Sequence, residues 1–129
     1  MSAACLLVAG KMLALAATGF TLSWTHSVER TEWREAWAVT PAGLVLEEAR
    51  VRGSGAGMDP GEGAHLEDGW WVWEPTAPVV PQLVLAASGA TASPWKLCAD
   101  GDCYELGERA GAPIVISSCS APDGTALPR

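Results

Sequence analysis

Between Phe20 and Val28 the chain alternates without a break. Phe20, Leu22, Trp24, His26 and Val28 hold one parity, and Thr21, Ser23, Thr25 and Ser27 hold the other. In extended backbone successive side chains point to opposite faces, so this run predicts a strand with one face in a core and one in water. A helix would scatter the same apolar residues around its circumference. Trp33, Glu35, Trp37 and Val39 alternate in the same way on the next run. A hairpin of this kind is not stable alone, so the rest of the chain must build more sheet around it.

The remainder supplies it. Strands are expected over residues 5–9 and 12–17, around a turn near Gly10-Lys11. Others are expected over 43–52, 69–73, 82–87, 95–98, 103–106 and 114–117. Clusters of Gly, Pro, Asp and Ser separate most of them. The glycine-rich stretch 53–63 reads as a surface loop, and 74–81, with Pro75, Pro78 and Pro81, as a connection. No segment carries a capped helical stripe. At 129 residues the chain suits a single domain. The expectation is one all-β domain over residues 1–119, a small antiparallel sandwich or partly open barrel of about eight to ten short strands. Residues 120–129 read as a flexible C-terminal tail.

Charge narrows the function. Against 8 basic residues stand 15 acidic ones, for a net charge of −7. Such a surface repels phosphate backbones and anionic lipid heads alike, so no nucleic acid is expected and membrane association is expected only through a partner. The apolar run at residues 3–20 resembles an export signal. It lacks a basic leader, carries Lys11 in its middle and passes straight into a strand pattern. The hairpin reading leaves the protein cytoplasmic as written. A periplasmic or membrane-associated location is the alternative.

The two alternating runs bring one candidate site together. Antiparallel pairing about a loop centred between Arg30 and Thr31 sets Val28 opposite Trp33, His26 opposite Glu35 and Trp24 opposite Trp37. Arg-Thr is a poor two-residue turn, so the loop is either tight or longer with the same register. A one-residue slip would turn one set to the wrong face. His26 and Glu35 then lie side by side, with Cβ atoms about 4.5–5.5 Å apart. A carboxylate beside an imidazole favours its charged form while burial opposes it, a tension common at functional sites. The same pair also reads as a satisfied polar contact that fixes register. Ser27 points away from His26, so a Ser–His–acid triad is excluded in this register.

Other chemistry is sparse. His65 lies near Glu62, Glu67 and Asp68 without the spacing of a zinc or calcium site, so no metal or other cofactor is expected. Gly53-Ser54-Gly55-Ala56-Gly57 lacks the Lys-Ser/Thr of a phosphate loop; the amides at Gly55 and Gly57 remain available as an anion nest. Asp100-Gly101 is a strong hairpin turn and sets Cys98 opposite Cys103, with Cα atoms about 4.5 Å apart. A disulfide fits there if the compartment is oxidising, and Cys5 and Cys119, both in terminal strands, can form a second. Four quiet thiols are equally compatible with the count. Seven Trp stand against one Tyr and one Phe. Most suit half-buried strand positions. Trp70, Trp71, Trp73 and Trp95 are candidates for an exposed partner surface.

The run from Phe20 to Glu29, followed by Glu35 and then by Gly53-Ser54-Gly55-Ala56-Gly57, resembles the domain-of-unknown-function family 1850. The resemblance extends over roughly residues 5–119. His26, Ser27, Glu35, Gly55 and Gly57 match its motif. It implies a small bacterial protein encoded beside a tripartite ATP-independent periplasmic (TRAP) transporter of the type with a TAXI solute receptor. The role so implied is that of an accessory or regulatory binding module, with a transporter subunit or its solute receptor as partner. It carries over no activity. Two other readings stand beside it. One is a small-ligand binder or enzyme using His26 and Glu35 in a pocket lined by Trp24 and Trp37. The other is a purely structural domain.

Overall fold

The computed structural model of the protein describes residues 4–25, 31–52, 63–87, 94–107, 110–119 and 126–128. In chain order the strands are β1 (Ala4–Val8), β2 (Lys11–Leu15), β3 (Gly19–Thr25), β4 (Glu32–Thr40), β5 (Gly43–Arg52) and β6 (His65–Glu67). They continue with β7 (Trp70–Trp73), β8 (Gln82–Leu85), β9 (Trp95–Ala99), β10 (Asp102–Leu106), β11 (Ile114–Ser118) and β12 (Ala126–Pro128).

Three dipeptides punctuate the chain. Ala9-Gly10, Asp68-Gly69 and Asp100-Gly101 hold both residues at positive φ, between 51° and 86°. That is the two-residue turn whose twist matches right-twisted strands. They close the β1–β2, β6–β7 and β9–β10 hairpins. The first turn sits one residue earlier than expected, on Ala9-Gly10, because glycine takes its second left-handed position.

The strands form two sheets, a five-stranded one ordered β12-β8-β11-β1-β2 and a seven-stranded one ordered β10-β9-β3-β4-β5-β7-β6. All neighbours run antiparallel except β12 on β8. The sheets do not close into a barrel. They face each other as a sandwich, as the alternation predicts. Leu6, Leu15, Leu83 and Ile116 from the smaller sheet meet Leu22, Trp37, Leu44 and Leu97 from the larger, all buried in one core. Gly43 admits a close crossing: a Cβ there would strike the Val80 carbonyl, which accepts the Leu44 N–H at 2.7 Å.

Two strands escaped the sequence reading. His65, expected in a loop, belongs to β6, which is only three residues long and exposed throughout. Residues 120–129, expected as a tail, contain β12 on the edge of the smaller sheet.

The register of the central hairpin differs from the expected one. Trp24 faces Trp33, Leu22 faces Glu35 and Phe20 faces Trp37. The slip is even-numbered, so every core-facing residue still meets a core-facing residue. Parity excludes a one-residue slip but is blind to this one. Arg30-Thr31 has neither residue suited to positive φ; β3 stops at Thr25, three residues short of Val28, and β4 starts at Glu32.

Candidate functional site

Four indoles cross the larger sheet in a row on its core side. Trp24 on β3 and Trp33 on β4 are opposed and stacked, with ring centroids 6.2 Å apart and planes 6° from parallel. Trp95 on β9 lies 4.9 Å from Trp24, tilted by 50°. Trp73 on β7 meets Trp33 edge-on at 6.1 Å. Offset and edge contacts of this kind each contribute about 0.5–1.5 kcal/mol beyond burial.

The polar ends of these rings differ. Trp95 Nε1 donates to the Ala86 carbonyl at 2.9 Å. The indole of Trp37, in the core and outside the row, donates from Nε1 to Glu35 Oε1 at 3.1 Å. Trp33 Nε1 is buried and has no acceptor. An unsatisfied buried donor costs about 1–3 kcal/mol, so such a group calls for an explanation.

Glu35 is only 3% exposed. It stands on the core face between Leu22 and Ala49, two residues along β4 from Trp33. A carboxyl in such a place must be hydrogen-bonded to persist. It is, by Trp37 and by a further interaction. The expected opposition of His26 to Glu35 is not the register of this hairpin, and neither is that of Trp24 to Trp37. His26, Ser27, Gly55 and Gly57 lie outside the described residues.

The opposite face of the same strand ends carries a polar hollow of about 280 Å³. Ser23, Thr25, Glu32, Lys96 and Glu105 line it together with Trp24. One strand end thus offers an indole row on one side and a hollow of hydroxyls, carboxylates and an ammonium group on the other.

The tryptophans expected at the surface reach it only in part. Trp70 and Trp95 are buried, and Trp71 and Trp73 are half-buried. Trp70 is covered by guanidinium groups, with Arg34 4.7 Å and Arg52 5.5 Å from its ring centroid. His65 hydrogen-bonds Glu67 Oε2 at 2.9 Å. Among the described residues no group of His, Cys, Asp and Glu gathers as a metal site.

Both cysteine pairs are disulfides. Cys98–Cys103 crosses the β9–β10 hairpin with Cα atoms 4.1 Å apart, and Cys5–Cys119 ties β1 to the residue after β11 at 5.4 Å. The turn between Cys98 and Cys103 has a second use that sequence reasoning missed. Asp100 accepts the Ala16 N–H at 2.8 Å and the Ala17 N–H at 2.9 Å, one on each carboxylate oxygen. These amides sit where the chain leaves one sheet for the other. The Asp-Gly signal announced the turn; nothing local announced what its carboxylate would hold.

The sequence pattern of a family described as Domain of unknown function (DUF1850) matches residues 20–106, more than half of the chain. The chain belongs to this family. No curated protein and no solved structure matches it. The stretch matched by the family includes the whole indole row, the buried Glu35 and the Cys98–Cys103 hairpin.

Proposed function

We propose that this family member is a binding module that works outside the reducing cytoplasm, as an accessory or regulatory component of a TAXI-type TRAP transporter. The observation that carries the binding reading is the indole row with its unsatisfied donor at Trp33. A buried N–H without an acceptor is a standing cost that an oxygen brought to it by a partner or ligand would remove. The half-buried members of the row, Trp24, Trp33 and Trp73, offer contact area at small cost in conformational entropy. The disulfides support the compartment, since such bonds persist where the surroundings oxidise thiols. The transporter assignment rests on the resemblance of the sequence to the family and on that compartment.

Glu35 plays a supporting part in this reading. Its carboxylate holds the Trp37 indole and thereby fixes the β4 backbone beside Trp33.

The test is a pull-down of the tagged, disulfide-intact protein from its native host, with partners identified by mass spectrometry. The transporter reading expects a membrane subunit or the solute receptor to be recovered. Recovery of the protein alone overturns it. Trp33→Phe deletes the donor and keeps an aromatic ring. It is expected to leave the fold intact and to reduce partner recovery by about 5- to 150-fold, the worth of one buried hydrogen bond. Undiminished recovery with Trp33→Phe overturns the assignment of the site.

A further inference from the structure

The sandwich has four sheet edges, and they are not alike. β12 and β6 are three residues long, and β12 ends in Pro128. β10 carries Asp102 and Glu105. Short strands, proline and charge are the devices by which proteins keep edges from pairing. β2 has only Lys11, at its very start. It is five residues long, and Met12 on it is 72% exposed.

The backbone of β2 can be oriented atom by atom. A two-residue turn makes Val8 and Lys11 the first pair to exchange hydrogen bonds, so along β2 the groups facing β1 belong to Lys11, Leu13 and Leu15. The N–H and C=O of Met12 and Ala14 therefore point off the sheet. Asp100 bears this parity out: it takes the next outward amide, that of Ala16. Among the described residues nothing pairs with Met12 and Ala14 on that side.

From this edge we infer that β2 is the docking strand for a second copy of the same chain, paired antiparallel about a two-fold axis through Leu13. Three observations select that occupant. The first is register. Centring on Leu13 sets Met12 of each copy opposite the second copy's Ala14, so both outward pairs of both copies are used, in four hydrogen bonds. Centring one residue later would call on the Ala16 amide, which Asp100 already holds. The long Met12 side chain meets the small Ala14 across the joint. The second is charge. Lys11 falls opposite the second copy's Leu15, one residue from the Ala16 amide at which that copy's Asp100 carboxylate sits. Each ammonium group therefore meets a carboxylate, twice by symmetry, which offsets part of the repulsion between two chains of net charge −7. The third is continuity. Met12 and Ala14 join Leu7, Ser117, Gln82, Val84 and Val115 on a solvent face that carries no charge among the described residues. Pairing doubles that face into one uninterrupted surface. The contact is self-complementary and closes at two copies.

Sedimentation velocity on the full, disulfide-bonded protein over a wide concentration range tests this. A monomer–dimer equilibrium is expected. Ala14→Pro removes only an outward N–H and leaves every β1–β2 bond in place. It costs the dimer two of its four hydrogen bonds and raises the dimer Kd by about 30-fold or more. Lys11→Glu turns both attractive contacts repulsive and raises it by about 10-fold, with the wild-type Kd itself weakening as salt rises. Should Ala14→Pro fail to fold, Lys11→Glu decides. A wild-type protein that stays monomeric throughout overturns the inference, and so does a dimer whose Kd neither substitution changes.

Discussion

The two sheets present opposite characters to solvent. Across the larger one runs the row Lys96, Ser23, Arg34, Arg50, Val72 and His65, flanked by Glu32, Glu48, Arg52 and Glu67. Across the smaller one runs Gln82, Ser117, Leu7 and Met12, flanked by Val84, Val115, Cys5 and Ala14. The first face is a lattice of charge in which each Arg pairs along its own strand, Arg34 with Glu32 at 3.2 Å and Arg50 with Glu48 at 2.6 Å, while the two Arg stand opposite each other across β4 and β5. The second has no charge among the described residues. A sheet face this densely charged stays wet, whereas an uncharged face is free to be covered. Stabilisation divides along the same line. The larger sheet has the core's bulk and its indole row. The smaller sheet, two strands narrower, is tied by a covalent link between β1 and the residue after its neighbour β11.

That division makes its largest prediction at the disulfides. Cys5 and Cys119 are separated by 114 residues, and Cys98 and Cys103 by 5. In the chain-entropy account the long loop contributes about 4–5 kcal/mol and the short one about 2 kcal/mol. Cys5→Ser with Cys119→Ser is therefore expected to lower the melting temperature by roughly 10–20 °C. Cys98→Ser with Cys103→Ser is expected to lower it by less than half as much. Urea unfolding of the two double variants, side by side without reductant, reads the difference. Equal losses would break the contrast, and a larger loss at the short loop would invert it.

Much of this architecture was legible in the sequence because strand alternation and Gly-containing turns are local signals. Phe20, Leu22 and Trp24 declared their face, and Asp100-Gly101 declared its hairpin. What failed was the pairing distance. Glu35 faces Leu22, and Trp24 faces Trp33, because the loop between β3 and β4 is longer than a two-residue turn. An even slip conserves every apolar contact by type, so only the turn chemistry of Glu29-Arg30-Thr31-Glu32 could have revealed it, and that signal is weak. The three exposed residues of β6 had no alternation to show. The indole row was legible as composition but not as geometry: its members lie on four strands, and contact among them depends on the register that was misjudged. The Asp100 clamp was invisible for another reason, since its partners lie more than eighty residues away.

The clamp joins the two halves of the comparison, and its prediction is of middle size. Asp100→Ala leaves two backbone N–H groups to water and puts a residue with no side-chain acceptor at φ 54°. The bonds are exposed, so their loss is expected to cost about 1–2 kcal/mol with the strain included. Asp100→Asn keeps one acceptor oxygen and tolerates the left-handed conformation, so it should lose about half as much. Hydrogen exchange sharpens the point. Amides 16 and 17 should lose protection in Asp100→Ala, while those of β4 and β5 stay protected. Uniform loss across both sheets would mean that the turn holds the whole fold together rather than one corner of it.

The smallest effect is expected at the charge lattice, and it is the one that says what the lattice is for. Arg50 and Glu48 are 30% and 34% exposed and stand two residues apart on one strand. Their attraction is set against water and against the entropy of two long side chains, so a double-mutant cycle with Arg50→Ala and Glu48→Ala should return only about 0.2–1 kcal/mol, shrinking in salt. The single variants should barely move the melting temperature. Their consequence should appear in solubility instead. Removing Arg50 and Arg34 together leaves Glu48 and Glu32 unopposed on a chain already at −7, which adds repulsion between copies. Replacing all four by Thr strips the middle of the face of charge and keeps the net charge at −7. If the lattice serves to keep this face wet, the first variant remains soluble and the second associates at the concentrations where the wild type does not. If both behave alike, charge is incidental there, and the contrast between the two faces has to be sought in the edge strands alone.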